Sequence, residues 1–262
     1  MKFINYKGSN IKYSKKGSGP TLFFIHGYMS SSEAWETFAP RFIENFTVIL
    51  IDLPGHGLSE NIKTAPSIQT YTDCIIAILD KENILKASFI GHSMGGYIIM
   101  DLIKNHENRI NSFILINTHP FADSPKKKEA RNKEAMMIRN GKKELLVSLN
   151  NARLFFNNNE NERIIERIKN ISINTSNDGC DFALEAMRKR DDSSETLLYT
   201  CIPFLIIFSL HDNQIDYKLI ENLEINQEQK ILLNASSHFC FIEEADLCER
   251  VLKNLFDKHL EF

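Results

Sequence analysis

The amino-acid sequence predicts an α/β fold, an eight-stranded, mostly parallel sheet with helices on both faces and an inserted helical lid. Three observations predict it. Short apolar runs recur along the 262 residues, segments with helical spacing separate them, and one long charged helical stretch interrupts the rhythm. Strand alternating with helix implies parallel strands joined by right-handed crossovers, with helices covering both faces.

The elements follow in order. Phe3–Tyr6 and Ile11–Tyr13, separated by Lys7-Gly8-Ser9-Asn10, read as an antiparallel hairpin of edge strands. Six apolar runs then have the character of strands buried on both faces: Thr21–Ile25, Phe46–Ile51, Ala87–Ile90, Phe113–Ile116, Phe204–Phe208 and Lys230–Leu233. Between them Ile68, Tyr71, Ile75, Ile78 and Leu79 share one helical face. Helical spacing is also available to Glu33–Glu44, to Gly95–Asn105 and to the C-terminal set Ala245, Leu247, Val251, Leu252, Leu255 and Phe256.

From about Phe121 to Leu198 no strand-like run occurs. Helices are expected over Lys126–Arg139, Lys142–Phe156, Glu160–Ile171 and, after Asn177-Asp178-Gly179, over Asp181–Arg190. A structureless loop of that length is implausible in a compact domain. The division expected is therefore a first core part over residues 1–120, a lid over 121–198 and a second core part over 199–262.

Composition bounds the function. Hydrophobic residues make up 43 % and charged residues 25 %, as in soluble globular proteins. A net charge of −3, from 31 basic and 34 acidic residues, gives no general attraction to nucleic acid or anionic membrane. The basic cluster Lys126-Lys127-Lys128, followed by Glu129 and Glu134, reads as a solvated helix face. No signal peptide and no apolar run of membrane-spanning length is expected. The five scattered cysteines suit free thiols in a reducing, cytoplasmic setting. The eight histidines form no His-x-x-x-His or His-x-His cluster, so no metal is expected. No Gly-x-Gly-x-x-Gly follows the first parallel strand, so no dinucleotide cofactor is expected either.

The chemistry centres on Gly91-His92-Ser93-Met94-Gly95-Gly96, between the Ala87–Ile90 run and an apolar helix. Gly-x-Ser-x-Gly in that setting is a sharp strand-to-helix turn that lifts a serine hydroxyl clear of the sheet, at the positive end of the helix. A serine attacks only when a base takes its proton, and a carboxylate must orient that base. The chain order Ser, acid, His is met by Asp212, just past the Phe204–Phe208 strand, and His238, past the next strand. Both then lie at the crevice lined by strand carboxyl ends. Asp216 is a rival acid but stands farther from its strand, and His211, adjacent to Asp212, points another way. Backbone N–H groups of Met94 and of Tyr28, in His26-Gly27-Tyr28-Met29, are placed to hold an oxyanion. Asp52 is expected to make structural hydrogen bonds, and His56 carries no catalytic assignment.

Phe24-Ile25-His26-Gly27, Asp52-Leu53-Pro54-Gly55-His56-Gly57-Leu58-Ser59 and Gly91-His92-Ser93-Met94-Gly95-Gly96 together resemble the α/β-hydrolase superfamily. The similarity is greatest to its small lid-bearing carboxylesterases, enol-lactonases and meta-cleavage-product hydrolases. The resemblance implies an acid after the seventh strand, although the Gly-x-x-Asp common there is replaced by Ser209-Leu210-His211-Asp212. It implies hydrolysis of a small ester, lactone or thioester through an acyl-serine intermediate, without cofactor. A serine at the elbow argues against epoxide hydrolases and haloalkane dehalogenases, whose nucleophile is aspartate. Carbon–carbon hydrolysis, acyl transfer or a lyase reaction on the same triad, and a non-catalytic small-molecule receptor are the alternatives. The partner expected is a small ester-like molecule with an apolar acyl part, bound by a monomer or homodimer. His119, Phe121, Phe155 and Phe239 are candidate pocket residues.

Overall fold

Period-two alternation divides each apolar run between two cores. In the computed structural model, which describes residues 1–151, 154–156 and 162–259, strand β3 (Thr21–Ile25) is buried throughout. Its Phe23 and Ile25 enter one core while Leu22 and Phe24 enter the other. Successive side chains leave a strand on opposite faces, so a continuous apolar run is what a doubly covered strand requires. β6 (Ile110–Ile116) behaves likewise, with Phe113 and Leu115 on one face and Ile114 and Ile116 on the other.

The remaining strands are β1 (Lys2–Tyr6), β2 (Ser9–Lys16), β4 (Thr47–Ile51), β5 (Ala87–His92), β7 (Phe204–Ser209) and β8 (Lys230–Leu233). All eight join one sheet in the order β1-β2-β4-β3-β5-β6-β7-β8. The β1–β2 hairpin is antiparallel and β2 pairs antiparallel with β4, while the pairings from β4 onward are parallel.

On one face lie α1 (Ile68–Lys81) and α2 (Met94–His106). α1 starts where Ser67 Oγ accepts the N–H of Thr70, a side-chain cap on an otherwise orphan donor. The other face holds the C-terminal helix α10 (Ala245–His259) and an aromatic cluster around Trp35. Trp35 is fully buried and stacks on Phe241 with ring centroids 4.0 Å apart.

Among the described residues five helices run between β6 and β7: α3 (Pro125–Arg139), α4 (Lys143–Asn151), α5 (Glu162–Asn174), α6 (Asn177–Lys189) and α7 (Ser194–Tyr199). Two short helices, α8 (Tyr217–Glu221) and α9 (Cys240–Glu243), flank β8 in the chain. Residues 152 and 153, within one expected helix, and 160 and 161, at the start of the next, lie outside the described residues.

Four expectations needed correction. Of the helix expected over Lys142–Phe156, α4 accounts for Lys143–Asn151, and Leu154–Phe156 are not helical. Glu33–Glu44 is two separate 3-10 turns, Ser32–Trp35 and Ala39–Phe42, because Pro40 has no N–H to give a helix and restricts Ala39 before it. α6 begins at Asn177 rather than Asp181, because Ser176 Oγ caps the N–H of Gly179 and converts the expected turn into a first helical turn. α7 was not anticipated; six residues are too few to show a helical period. No described helix is long and apolar enough to cross a membrane.

Candidate active site

The parallel pairing of β3, β5, β6, β7 and β8 puts all their carboxyl ends on one edge of the sheet. The segments after those ends carry Tyr28, Ser93, Asn117, Asp212 and His238 respectively. Residues far apart in sequence therefore meet at one crevice.

Ser93 is the hinge between β5 and α2, with φ +53° and ψ −116°. A side chain in that region costs roughly 1–3 kcal/mol. The surroundings impose the conformation: Ser93 N–H donates to the Ile116 carbonyl at 2.9 Å, tying the turn to β6. The backbones also close tightly, since a Cβ on Gly91 would fall 2.6 Å from the Gly95 carbonyl oxygen, and one on Gly95 would fall 2.4 Å from that of Ile25. This is why glycine is needed on both sides of the serine.

His238 Nδ1 lies 2.8 Å from Asp212 Oδ2. With Nδ1–H donated to the carboxylate, Nε2 is the ring nitrogen free to take a proton. The other carboxylate oxygen, Oδ1, accepts the N–H groups of Gln214 at 2.7 Å and Ile215 at 3.1 Å. Asp212 is therefore held at both ends. Asp216 instead caps α8 by accepting Lys218 N–H at 3.1 Å, the local role that a loop aspartate usually has. The ring of His211 stacks on Phe156 at 4.2 Å.

Two groups that sequence reasoning did not single out hold the His238 backbone. Asn117, fully buried at φ +45°, donates from Nδ2 to the carbonyls of Ser237 and His238, each at 2.9 Å, and to Ser209 Oγ at 3.1 Å. Its Oδ1 accepts Ser209 N–H at 2.9 Å. His92 Nε2–H also donates to the His238 carbonyl at 2.9 Å. Burial, with His238 nearby, holds the His92 imidazole well below its ordinary pKa, which keeps it neutral. The only sequence signal for Asn117 is its place directly after an apolar strand run.

Met94 is the first residue of α2, so its N–H has no carbonyl a turn earlier to bond. Tyr28 N–H takes no backbone acceptor among the described residues. The loop carrying Tyr28 is fixed from behind by His26, whose Nδ1–H donates to the Gly27 carbonyl at 2.8 Å while Nε2 accepts Leu53 N–H at 3.0 Å. Asp52 accepts Ser32 N–H at 2.8 Å and Leu58 N–H at 2.9 Å. The Asp52–Ser59 loop is thus structural, as expected, and His56 is buried within it.

Ser93, His238 and Tyr28 line one cavity of about 90 Å³, with Phe239, Tyr97, Leu154 and Met187 among its apolar walls. Phe239 is the one aromatic pocket candidate that reaches the cavity. Phe155 stands behind it, stacked on its ring at 5.4 Å. His119 and Phe121 are not among the lining residues; they stack on each other at 5.9 Å, and His119 also packs on Tyr97 at 5.6 Å. Burial pushes the His119 imidazole down to about 4, so it behaves as a neutral packing ring. The solvated-face reading of Lys126-Lys127-Lys128 also fails at its middle residue. Lys127 lines the cavity with Arg131 and Glu134, three positions spaced four and three apart and so on one face of α3. Among the described residues no three His, Cys, Asp or Glu side chains are grouped to hold a metal ion.

Known proteins share this arrangement of the chain. A thermophilic esterase of Thermogutta terrifontis superposes with a TM-score of 0.89 at 23 % identity, covering 96 % of this chain and 94 % of that one. The enol-lactonase of Burkholderia xenovorans LB400 gives 0.88 at 22 %, over 98 % and 100 %. At such identities the likeness is one of fold. In sequence, the 2-(acetamidomethylene)succinate hydrolase of Mesorhizobium japonicum is 30 % identical over 110 residues, which is 42 % of this chain and 40 % of that protein. Matches to other curated relatives likewise span well under half of their length, 40 % and 33 % in two cases. The family defined by the alpha/beta hydrolase fold matches residues 20–245. With its eight-stranded sheet and a serine at the β5–α2 turn, this chain belongs to the α/β-hydrolase family.

Proposed function

We propose that the protein hydrolyses a small carboxylic ester, lactone or thioester through an acyl-Ser93 intermediate. The observation that carries this reading is that Ser93, at a strained strand-to-helix turn, shares a cavity wall with a His238 whose Nδ1 is committed to Asp212 at 2.8 Å. Nucleophile, base and orienting acid each have their place in the triad logic.

Ser93 Oγ attacks the carbonyl carbon as His238 Nε2 takes its proton, and the carbonyl oxygen becomes an oxyanion. The N–H groups of Met94 and Tyr28 receive that charge, each such donor being worth about 3 kcal/mol in the transition state. Collapse expels the alcohol, thiol or enol, which takes the proton from His238. Water, deprotonated by His238, then attacks the acyl-serine, and the second collapse returns the proton to Ser93 and releases the acid. Asp212 stays ionised and keeps the imidazole in the tautomer that presents Nε2. The helices over residues 121–198 act as a lid, contributing α3 and Leu154 to the cavity wall. The esterase and enol-lactonase that share the fold support the reaction class.

The test is labelling by a fluorophosphonate probe together with turnover of p-nitrophenyl esters from acetate to octanoate. Both are expected for the wild type, and Ser93→Ala is expected to lose labelling and at least about 10³-fold in kcat. A folded wild-type protein that neither labels nor turns over these esters would overturn the reading.

A further inference from the structure

The cavity that holds Ser93 and His238 has a charged end. Lys127, Arg131 and Glu134 of α3 all line it, and no ion pair joins Glu134 to either cation among the described residues. Arg131 is 6 % exposed and binds Asp123 through Nε, with Nη2 3.2 Å from Oδ1. Its Nη1 has no partner among the described residues. Asp123 is shared, since Arg190 Nη1 also donates to its Oδ1 at 2.6 Å. Two guanidinium groups thus share one carboxylate, and of the two Arg131 is the one that lines the cavity.

Lys127 adds a second cation to the lining. It is half-buried and makes no ion pair among the described residues. It also sits in the first turn of α3, where the helix dipole disfavours a cation. Both factors make its charge costly. Burial, with Arg131 beside it, lowers the Lys127 pKa, and burial raises that of Glu134. The wall is therefore poor in solvation for its charges and richer in positive than negative ones. A salt-bridging ligand would remedy both.

We propose that Lys127 and Arg131 form a carboxylate-binding subsite, so that the substrate is an ester or lactone carrying a negatively charged carboxylate on its acyl part. This rests on Ser93 being the nucleophile, because the subsite and the serine are walls of one cavity. Lys127 supplies a point charge and Arg131 Nη1 a directed donor, while the apolar walls around Tyr97 and Met187 take the methylenes between carboxylate and reacting carbonyl. The substrate is then anionic at one end, which adds a charge to the apolar acyl part expected from sequence.

The experiment compares p-nitrophenyl hydrogen adipate with p-nitrophenyl heptanoate, a neutral ester of similar length, in wild type, Lys127→Met and Lys127→Arg. The wild type is expected to prefer the anionic ester at least ten-fold in kcat/KM. Lys127→Met should reduce that anionic-to-neutral ratio at least ten-fold, mainly through KM, and Lys127→Arg should keep most of it. Binding of adipate itself, followed by ligand-observed NMR, needs no turnover and should weaken at least ten-fold in Lys127→Met. A ratio near or below one in wild type, or one unmoved by Lys127→Met, would overturn the subsite while ester hydrolysis stood. Failure of Ser93 to label, with adipate still bound through Lys127, would instead overturn the nucleophile and leave the subsite.

Discussion

Asn117 offers the sharpest test of how the fold positions the proposed base. Its side chain is satisfied in a fully buried position, the two Nδ2 protons being shared among three acceptors while Oδ1 accepts one N–H. Buried hydrogen bonds contribute about 1 kcal/mol each, so with two donor protons and one acceptor Asn117→Ala should cost about 3 kcal/mol. The backbone at φ +45° adds about 1 kcal/mol more, because alanine lacks the local side-chain bonding that eases asparagine into this region. Asn117→Gly removes the same bonds but not the backbone tolerance, and should lie about 1 kcal/mol above the alanine variant. For a chain of this length each kcal/mol moves the melting temperature by about 2–4 °C, so the alanine variant should melt roughly 8–16 °C lower. Since Nδ2 grips the Ser237 and His238 carbonyls, the base should also wander, lowering kcat at least ten-fold with little change in KM. Calorimetry and ester kinetics at low temperature read both effects. An alanine variant that melts within 3 °C of wild type and keeps full kcat would refute the assignment of Asn117 as a positioning residue.

Asp212→Asn keeps the shape of the acid but removes the charge that selects the His238 tautomer, so kcat should fall by up to about 10⁴-fold with KM near wild type. Asp216→Asn should leave kcat within two-fold, because Asp216 only caps α8; the reverse ranking in steady-state kinetics would exchange their roles. Acid should destabilise the fold through buried histidines. Burial lowers His56 to about 4 and His26 to about 3, so between the ordinary pKa near 6.5 and those values the unfolded chain binds protons that the folded chain does not. Stability from each is thus full above about pH 6.5 and falls by about 2 kcal/mol by pH 5. Urea titrations at pH 7 and pH 5 should show that His56→Gln narrows the difference by about that amount; an unchanged difference would mean that His56 takes up its proton while folded.

The fold was legible because its strands are covered on both sides. Thr21–Ile25 and Phe113–Ile116 leave no polar position exposed, so their runs stand out from the polar helices and turns around them. Errors fell where a local feature overrode the periodicity. Pro40 divides the Glu33–Glu44 pattern into two 3-10 turns, and Ser176 starts α6 four residues before the apolar pattern became visible. Both signals were present in the sequence, one as a proline and one as a capping residue, and each outweighed the spacing of neighbouring apolar side chains.

The site was legible only in part, for a related reason. Ser93, Asp212 and His238 belong to positions tied to strand ends, so chain order and strand boundaries locate them without any contact being known. Lys127, Arg131 and Asn117 belong to positions defined by what faces them. On its own, α3 offers Lys127-Lys128-Glu129 and Lys133 as readily as Lys127, Arg131 and Glu134, and both are ordinary helical neighbours. Glu129 and Lys133 pair at 2.7 Å in the open, 65 % and 71 % exposed, while the stripe of Lys127, Arg131 and Glu134 turns inward to a cavity. What separates the two faces is the way α3 packs against α6, on which Met187 supplies the adjoining cavity wall. The substrate charge proposed here is therefore written in the packing of one helix on another, whereas the proposed reaction class is written in the order of residues after the strands.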